Sequence, residues 1–157
     1  MVELGCNGLL LGPVFASVSH GYDTLDHFRI DPRLGDDADF DHLVEQARSR
    51  GISVLLDGVF NHVSRHHPGL TDHGAGIVAR RDPRGELVGW EGHDELVELD
   101  HSHPSVQALV TEIMLHWLRR GGAGGRLEGA YGGPPGLWRE GVAQGRRGVP
   151  RARLLGE

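Results

Sequence analysis

Residues 52–62 constrain this chain more than any other stretch. Ile52, Val54, Leu55 and Leu56 run almost unbroken into Asp57, Gly58, Val59, Phe60, Asn61 and His62. An apolar, β-branched run without alternation fits a parallel strand buried on both faces. Three polar side chains stand at its end. In parallel α/β sheets and barrels the chemistry sits at the carboxyl ends of the strands, in the loops that follow. A carboxylate, an amide and an imidazole delivered there read as a site.

The flanking segments repeat the theme. Gly8-Leu9-Leu10-Leu11-Gly12-Pro13 reads as a short buried strand stopped by proline, and Leu4-Gly5 before it as the tail of a helix. Asp36, Asp37 and Asp39 are N-cap candidates for a helix whose apolar face is Phe40, Leu43, Val44 and Ala47, ended by Gly51. Strand, helix, strand is a βαβ unit, which is right-handed in nearly all cases. From His62 to about Pro104 the chain shows little periodicity, and a loop of that length is usually functional or mobile. Val106, Leu109, Val110, Ile113, Met114, Trp117 and Leu118 then mark an amphipathic helix with Pro104 in its first turn. Residues 124–130 read as a third strand, and 151–157 as the start of a fourth.

Size and composition exclude several classes. A closed (β/α)8 barrel needs roughly 250 residues, with about 200 a practical floor, so at 157 residues a barrel here is a part of one. The formal net charge of −6 without a basic block argues against nucleic-acid binding. No apolar run reaches the roughly 20 residues of a membrane helix, and the first residues carry no signal-peptide pattern. One cysteine, Cys6, excludes an internal disulfide framework. The expectation is one cytoplasmic domain over residues 1–157, with no nucleic acid and no membrane as partner and its oligomeric state open.

Asp57-x-Val59-x-Asn61-His62 resembles the first conserved region of the α-amylase superfamily of glycoside hydrolases. Four further segments continue the resemblance in the right order. Gly21-Tyr22-Asp23 is similar to the segment after the second barrel strand. Leu96-Val97-Glu98-Leu99-Asp100 is similar to a Leu-Pro-Asp/Glu-Leu-Asn segment, with Val97 where proline is usual. Gly124-Gly125-Arg126-Leu127-Glu128 is similar to Gly-x-Arg-x-Asp, whose aspartate is the nucleophile, and Gly156-Glu157 to the Gly-Glu that carries the general acid. The resemblance implies an α/β fold that is a partial TIM (β/α)8 barrel, incomplete at both ends, running from the second to the fifth strand.

It also implies roles. Retaining glycoside hydrolysis uses two carboxyl groups about 5–5.5 Å apart. Glu128 takes the nucleophile position, Glu157 the acid/base position, and Arg126 orients the nucleophile. Asp57 and His62 are expected to bind sugar hydroxyls, and Tyr22 to stack on the sugar at the cleavage subsite. Asn61 is expected to ligate a structural calcium. The partner implied is an α-glucan or maltooligosaccharide, cleaved or transferred; linkage and the balance of hydrolysis against transfer stay open.

Two departures stand beside this. Glu128 is one methylene longer than aspartate, and a later third catalytic carboxylate has no counterpart in the chain. A non-catalytic, carbohydrate-binding remnant is therefore an alternative. A metal-dependent hydrolase is another, because His62, His66, His67 and His73 share one loop and His101 and His103 follow Asp100. Finally, 25 glycines among 157 residues exceed the usual share of about 7%. Many fall in 121–157, where poor order is the expectation because each interior glycine costs about 0.5–1 kcal/mol against alanine.

Overall fold

The computed structural model describes residues 2–70 and 77–156. The chain runs β1 (Gly8–Leu10), β2 (Phe15–Ser17), β3 (Thr24–Ile30), α1 (Asp37–Ser49), β4 (Ser53–Val59), β5 (His62–Ser64) and β6 (Gly89–Trp90). It continues through β7 (His93–Glu98), α2 (Pro104–Arg119), β8 (Gly124–Glu128), α3 (Pro135–Gly148) and β9 (Arg153–Gly156). Among the described residues no helix is long and apolar enough to cross a membrane.

β1, β4, β8 and β9 form one parallel sheet, and their spatial order is their chain order. Each crossover contains a helix and advances one position the same way. A doubly wound sheet reverses direction at a switch point; this one does not, which is how a (β/α)8 barrel is built. The chain is thus a partial TIM barrel of four parallel strands.

Strand alternation sorts the side chains into two layers. Val54, Leu56, Leu127 and Leu154 join Phe40, Val44, Val110, Ile113 and Trp117 in the main core between sheet and helices. The opposite face carries Asp57 beside Arg126, Val59 beside Glu128 and Leu10 beside Leu55. Trp117 anchors the outer layer: it lies against Phe15 (5.2 Å between centroids) and meets Phe40 edge-on (5.1 Å). Its indole N–H donates to the His27 carbonyl at 2.7 Å.

α1 begins as its sequence dictates. The Asp36 carboxylate accepts from the Ala38 and Asp39 amides, and Asp39 answers to the Asp36 amide, a capping box. Gly51 takes a positive φ of 72° at the helix end. Pro104 opens α2.

Four expectations change. Residues 2–4 form a single 3-10 turn rather than a helix tail. β1 is present but not buried, since Leu10 is 44% exposed at the sheet's outer edge. Leu43 lies at the margin of the α1 face, exposed. The stretch from His62 to Pro104 holds a three-stranded antiparallel sheet, β5-β7-β6, over a small core of Val63, Leu99 and Val106. Strands of two to six residues are too short to show a period.

The glycine-rich segment expected to be poorly ordered builds β8, α3 and β9 in this structure. Its glycines sit where bulk has no room. Gly124 has φ 148°, and a Cβ there would collide with the Arg153 carbonyl oxygen of β9. Gly141 and Gly145, one turn apart on α3, face Met114 and Leu118 of α2. Gly136, by contrast, has open space and an ordinary φ.

Gly124→Ala is expected to destabilise the chain by more than about 1 kcal/mol, because both space and backbone forbid the methyl. Gly136→Ala should stabilise it by about 0.4–1 kcal/mol through the unfolded chain. Urea unfolding of the two variants checks both signs.

Candidate functional site

The carboxyl ends of β4 and β8 supply the site. Asp57 and Arg126 are register partners on adjacent strands, and Arg126 Nη1 donates to Asp57 Oδ2 at 2.6 Å. Asp57 is 1% exposed. A carboxylate so removed from water must be paired and hydrogen-bonded to remain charged, and the guanidinium provides both. Two residues further, Glu128 stands opposite Val59 at the strand end, half-buried.

Asn61 closes the gap between the strands. Its amide donates to the Glu128 carbonyl, and the same nitrogen lies 3.5 Å from Glu128 Oε2. Gly129, the residue after Glu128, has φ 58°, and a Cβ there would strike the Asn61 amide nitrogen. The loop after β8 can approach Asn61 this closely only because it starts with glycine.

Three buried histidines brace the same rim through backbone carbonyls. His27 Nε2 donates to Val59 O at 3.0 Å, His101 Nε2 to Phe60 O at 2.7 Å, and His62 Nε2 to Tyr22 O at 3.1 Å. Burial pushes His27 and His62 down to about 4, against the opposing pull of the carbonyls they bond. They are neutral rings, each donating one proton. His62 thereby holds the Tyr22 loop, so this nitrogen is engaged with protein rather than open to sugar. Its plane stacks on Trp90 at 5.5 Å and 27°.

The structure therefore brings together Asp57, Arg126, Glu128, Asn61, His62 and the Tyr22 backbone. Glu157 and His73 lie outside the described residues. Among the described residues no group of three or more His, Cys, Asp or Glu side chains converges as a metal site. The histidines of the excursion are spread: His66 is exposed near Glu95, whereas His62 and His101 are structural donors. Calcium needs 6–8 oxygen ligands. Asn61 Oδ1 is a buried oxygen with no hydrogen-bond partner among the described residues, but it is one oxygen, packed under Gly132. Among the described residues, the side chains around Asn61 do not make up such a ligand set.

Sequence reasoning missed His27 as part of the rim and offered His101 only as a candidate metal ligand, since a histidine's neighbours along the chain carry no signal of its burial. It left Trp90 and Trp138 unplaced. Trp138 is structural: its Nε1 donates to Ala130 O at 2.9 Å and its ring lies over Phe60. Trp90 belongs to the rim.

Comparison with known proteins points one way. The sequence model of a family described as "Alpha amylase, catalytic domain" matches residues 1–82. An intracellular maltogenic amylase of Bacillus subtilis is 34% identical over 134 residues, 74% of this chain and 22% of that protein. A cyclomaltodextrinase from Bacillus sp is 33% identical across 99% of this chain and 31% of its own length. Among solved structures, the debranching enzyme of Nostoc punctiforme superposes with a TM-score of 0.88 at 32% identity, over 99% of this chain and 36% of that one. The chain thus spans between about a fifth and two fifths of the proteins it matches.

The buried histidines generate a pH dependence. Unfolded, His27 takes up its proton near pH 6.5; folded, only near 4. Above pH 6.5 both states are neutral and the group is silent. As pH falls from 6.5 towards 4 the unfolded state gains protons the folded state refuses, so stability drops, by up to about 3 kcal/mol for His27. Urea midpoints should fall between pH 7.5 and 4.5, and the fall should shrink in His27→Gln. An unchanged slope in that variant would show that the ring titrates normally.

Proposed function

Because the chain belongs to the α-amylase family of glycoside hydrolases, we propose that it is the strand-two-to-strand-five part of an α-glucan-active catalytic barrel, acting by the retaining two-carboxylate route. The observation that carries this is Glu128 at the carboxyl end of β8, next to the buried Asp57 with its half-buried partner Arg126 and under the Asn61 amide. The relatives are described as a maltogenic amylase, a cyclomaltodextrinase and a debranching enzyme. Those descriptions support α-linked glucose chains as substrate. The intracellular description of the Bacillus subtilis relative supports a cytoplasmic location.

In this reading the Glu128 carboxylate attacks the anomeric carbon. The bond to the leaving oxygen breaks, and that oxygen takes the proton of Glu157. Water, activated by the carboxylate Glu157 has become, then releases the sugar from Glu128; a second sugar hydroxyl in its place gives transfer. Asp57 is anchored to Arg126, and together they hold charge at a fixed place beside the reacting carbon. Tyr22, secured by His62, contributes its ring to the bound sugar.

Glu128 also favours a second reading, a remnant that binds carbohydrate without cleaving it. Its carboxylate stands about 1.5 Å beyond an aspartate's, and a displacement near 1 Å can cost on the order of a hundredfold in rate. Maltooligosaccharides incubated with the chain, or with a version extended past Glu157, are expected to yield new reducing ends. Glu128→Asp should raise that rate on the order of a hundredfold, and Glu128→Gln should abolish it. Binding without turnover, unchanged in Glu128→Asp, selects the remnant.

Calcium enters through family membership alone, and the single oxygen at Asn61 argues against it. Dialysis against a chelator should leave the melting temperature unchanged; a fall of several degrees, restored by calcium, would place the ion there.

A further inference from the structure

The hairpin loop that carries Tyr22 is tied down by a network that the proposed chemistry does not use. Residues 18–23 link β2 to β3, and Arg33 follows β3 after Asp31 and Pro32. Asp31 is 3% exposed. Arg33 meets its carboxylate with two donors, Nε to Oδ1 at 2.8 Å and Nη2 to Oδ2 at 2.5 Å. A buried carboxylate served by such a fork stays charged and fixed in direction, and the fork holds Asp31 well below the usual carboxylate range.

A pair two residues apart would by itself only close the turn after β3. This one reaches further back along the chain. Arg33 Nη2 also donates to the Ser17 hydroxyl oxygen at 2.7 Å, and Nη1 to the Ser19 carbonyl at 2.6 Å. Ser17 donates its amide and its hydroxyl to Asp31 Oδ2, both at 3.1 Å, and its hydroxyl oxygen accepts the Gly21 amide at 3.1 Å. The guanidinium therefore fixes the end of β2, the first bend of the loop and, through Ser17, the residue before Tyr22. Gly21 has φ 92°, and a Cβ there would strike Pro13, so the chain passes this point in one tight conformation. The next carbonyl, that of Tyr22, is held by His62. Arg33 and His62 thus grip the loop on either side of the same peptide, one from a half-exposed position and the other from the buried rim.

We propose that Arg33 is a positioning residue: through Asp31 and Ser17 it sets the loop that presents Tyr22 to the sugar. The part played by Tyr22 rests on the α-glucan reading above, whereas the hold on the loop does not. Only a planar group with donors along several edges can serve Asp31, Ser17 and Ser19 together; a lysine ammonium is a point charge. A loop without that hold loses conformational freedom when it binds, and affinity drops accordingly.

Amide hydrogen exchange and maltose calorimetry on the full chain test this with Arg33→Ala, Arg33→Lys and Tyr22→Ala. In Arg33→Ala the exchange of the Ser17 and Gly21 amides should quicken about ten- to a hundredfold more than that of Leu55 and Leu56 in β4, the worth of a charge-assisted hydrogen bond. Maltose affinity should fall about two- to tenfold, as in Tyr22→Ala, the worth of one aromatic contact. In the double variant the two losses should not add, because Arg33 acts through Tyr22. Arg33→Lys keeps the charge without the fork and should give the alanine result. If the loop and β4 quicken alike, Arg33 serves stability in general and the inference falls. Additive losses, or full affinity in Arg33→Ala or Arg33→Lys, also overturn it and leave the α-glucan reading standing. If the parent binds no maltose, that reading falls and takes the role of Tyr22 with it; the exchange rates then decide whether Arg33 sets the loop.

Discussion

The pair formed by Asp57 and Arg126 sets the register on which the rest of the site depends. A carboxylate with 1% exposure needs its guanidinium, and the guanidinium sits at the matching position of the next strand. Side chains in a strand alternate between faces, so a slip of one residue between β4 and β8 would turn Arg126 towards the helices and Leu127 towards the site. Glu128, two residues on, would leave the rim with it. One ion pair thus positions the residue that the proposed chemistry needs.

Around that pair, the donors of the rim are committed to backbone. His27, His101 and His62 each bond a carbonyl from another segment, and Asn61 bonds the carbonyl of Glu128. These contacts tie the β1–β3 connection, the antiparallel excursion and the loop after β8 to the end of β4. The result is a framework set before any ligand arrives, the arrangement in which charged groups are most effective. It also explains why so many polar residues of the rim are buried: they orient, and few are left to react.

The glycines serve the same end. At Gly124 and Gly129 the backbone adopts positive φ where a side chain would hit β9 or Asn61, and at Gly141 and Gly145 helix α3 closes onto α2. An excess that looks like a liability when counted along the chain becomes close packing once neighbours are known. Meanwhile the face opposite the helices leaves Leu10, beside the buried Leu55, 44% exposed and Leu155, beside Arg126, 51% exposed. Four strands cover only part of the surface that a closed barrel encloses.

Local pattern alone determined the parallel strand that carries Asp57, the capped helix α1 and the apolar face of α2, because hydrophobic period and capping chemistry act within a few residues. The family followed from short motifs, since Asp57, Asn61, His62 and Arg126 recur at fixed offsets. Only the tertiary structure decided that His62 holds Tyr22 by its carbonyl, that His27 and His101 are buried donors, that Trp90 lies on the rim while Trp138 supports a turn, and that the glycine-rich segment builds strands and a helix. Each of those outcomes turns on contacts between residues 8 to 69 positions apart, at separations of a few ångströms, and no periodicity in the chain encodes such a distance.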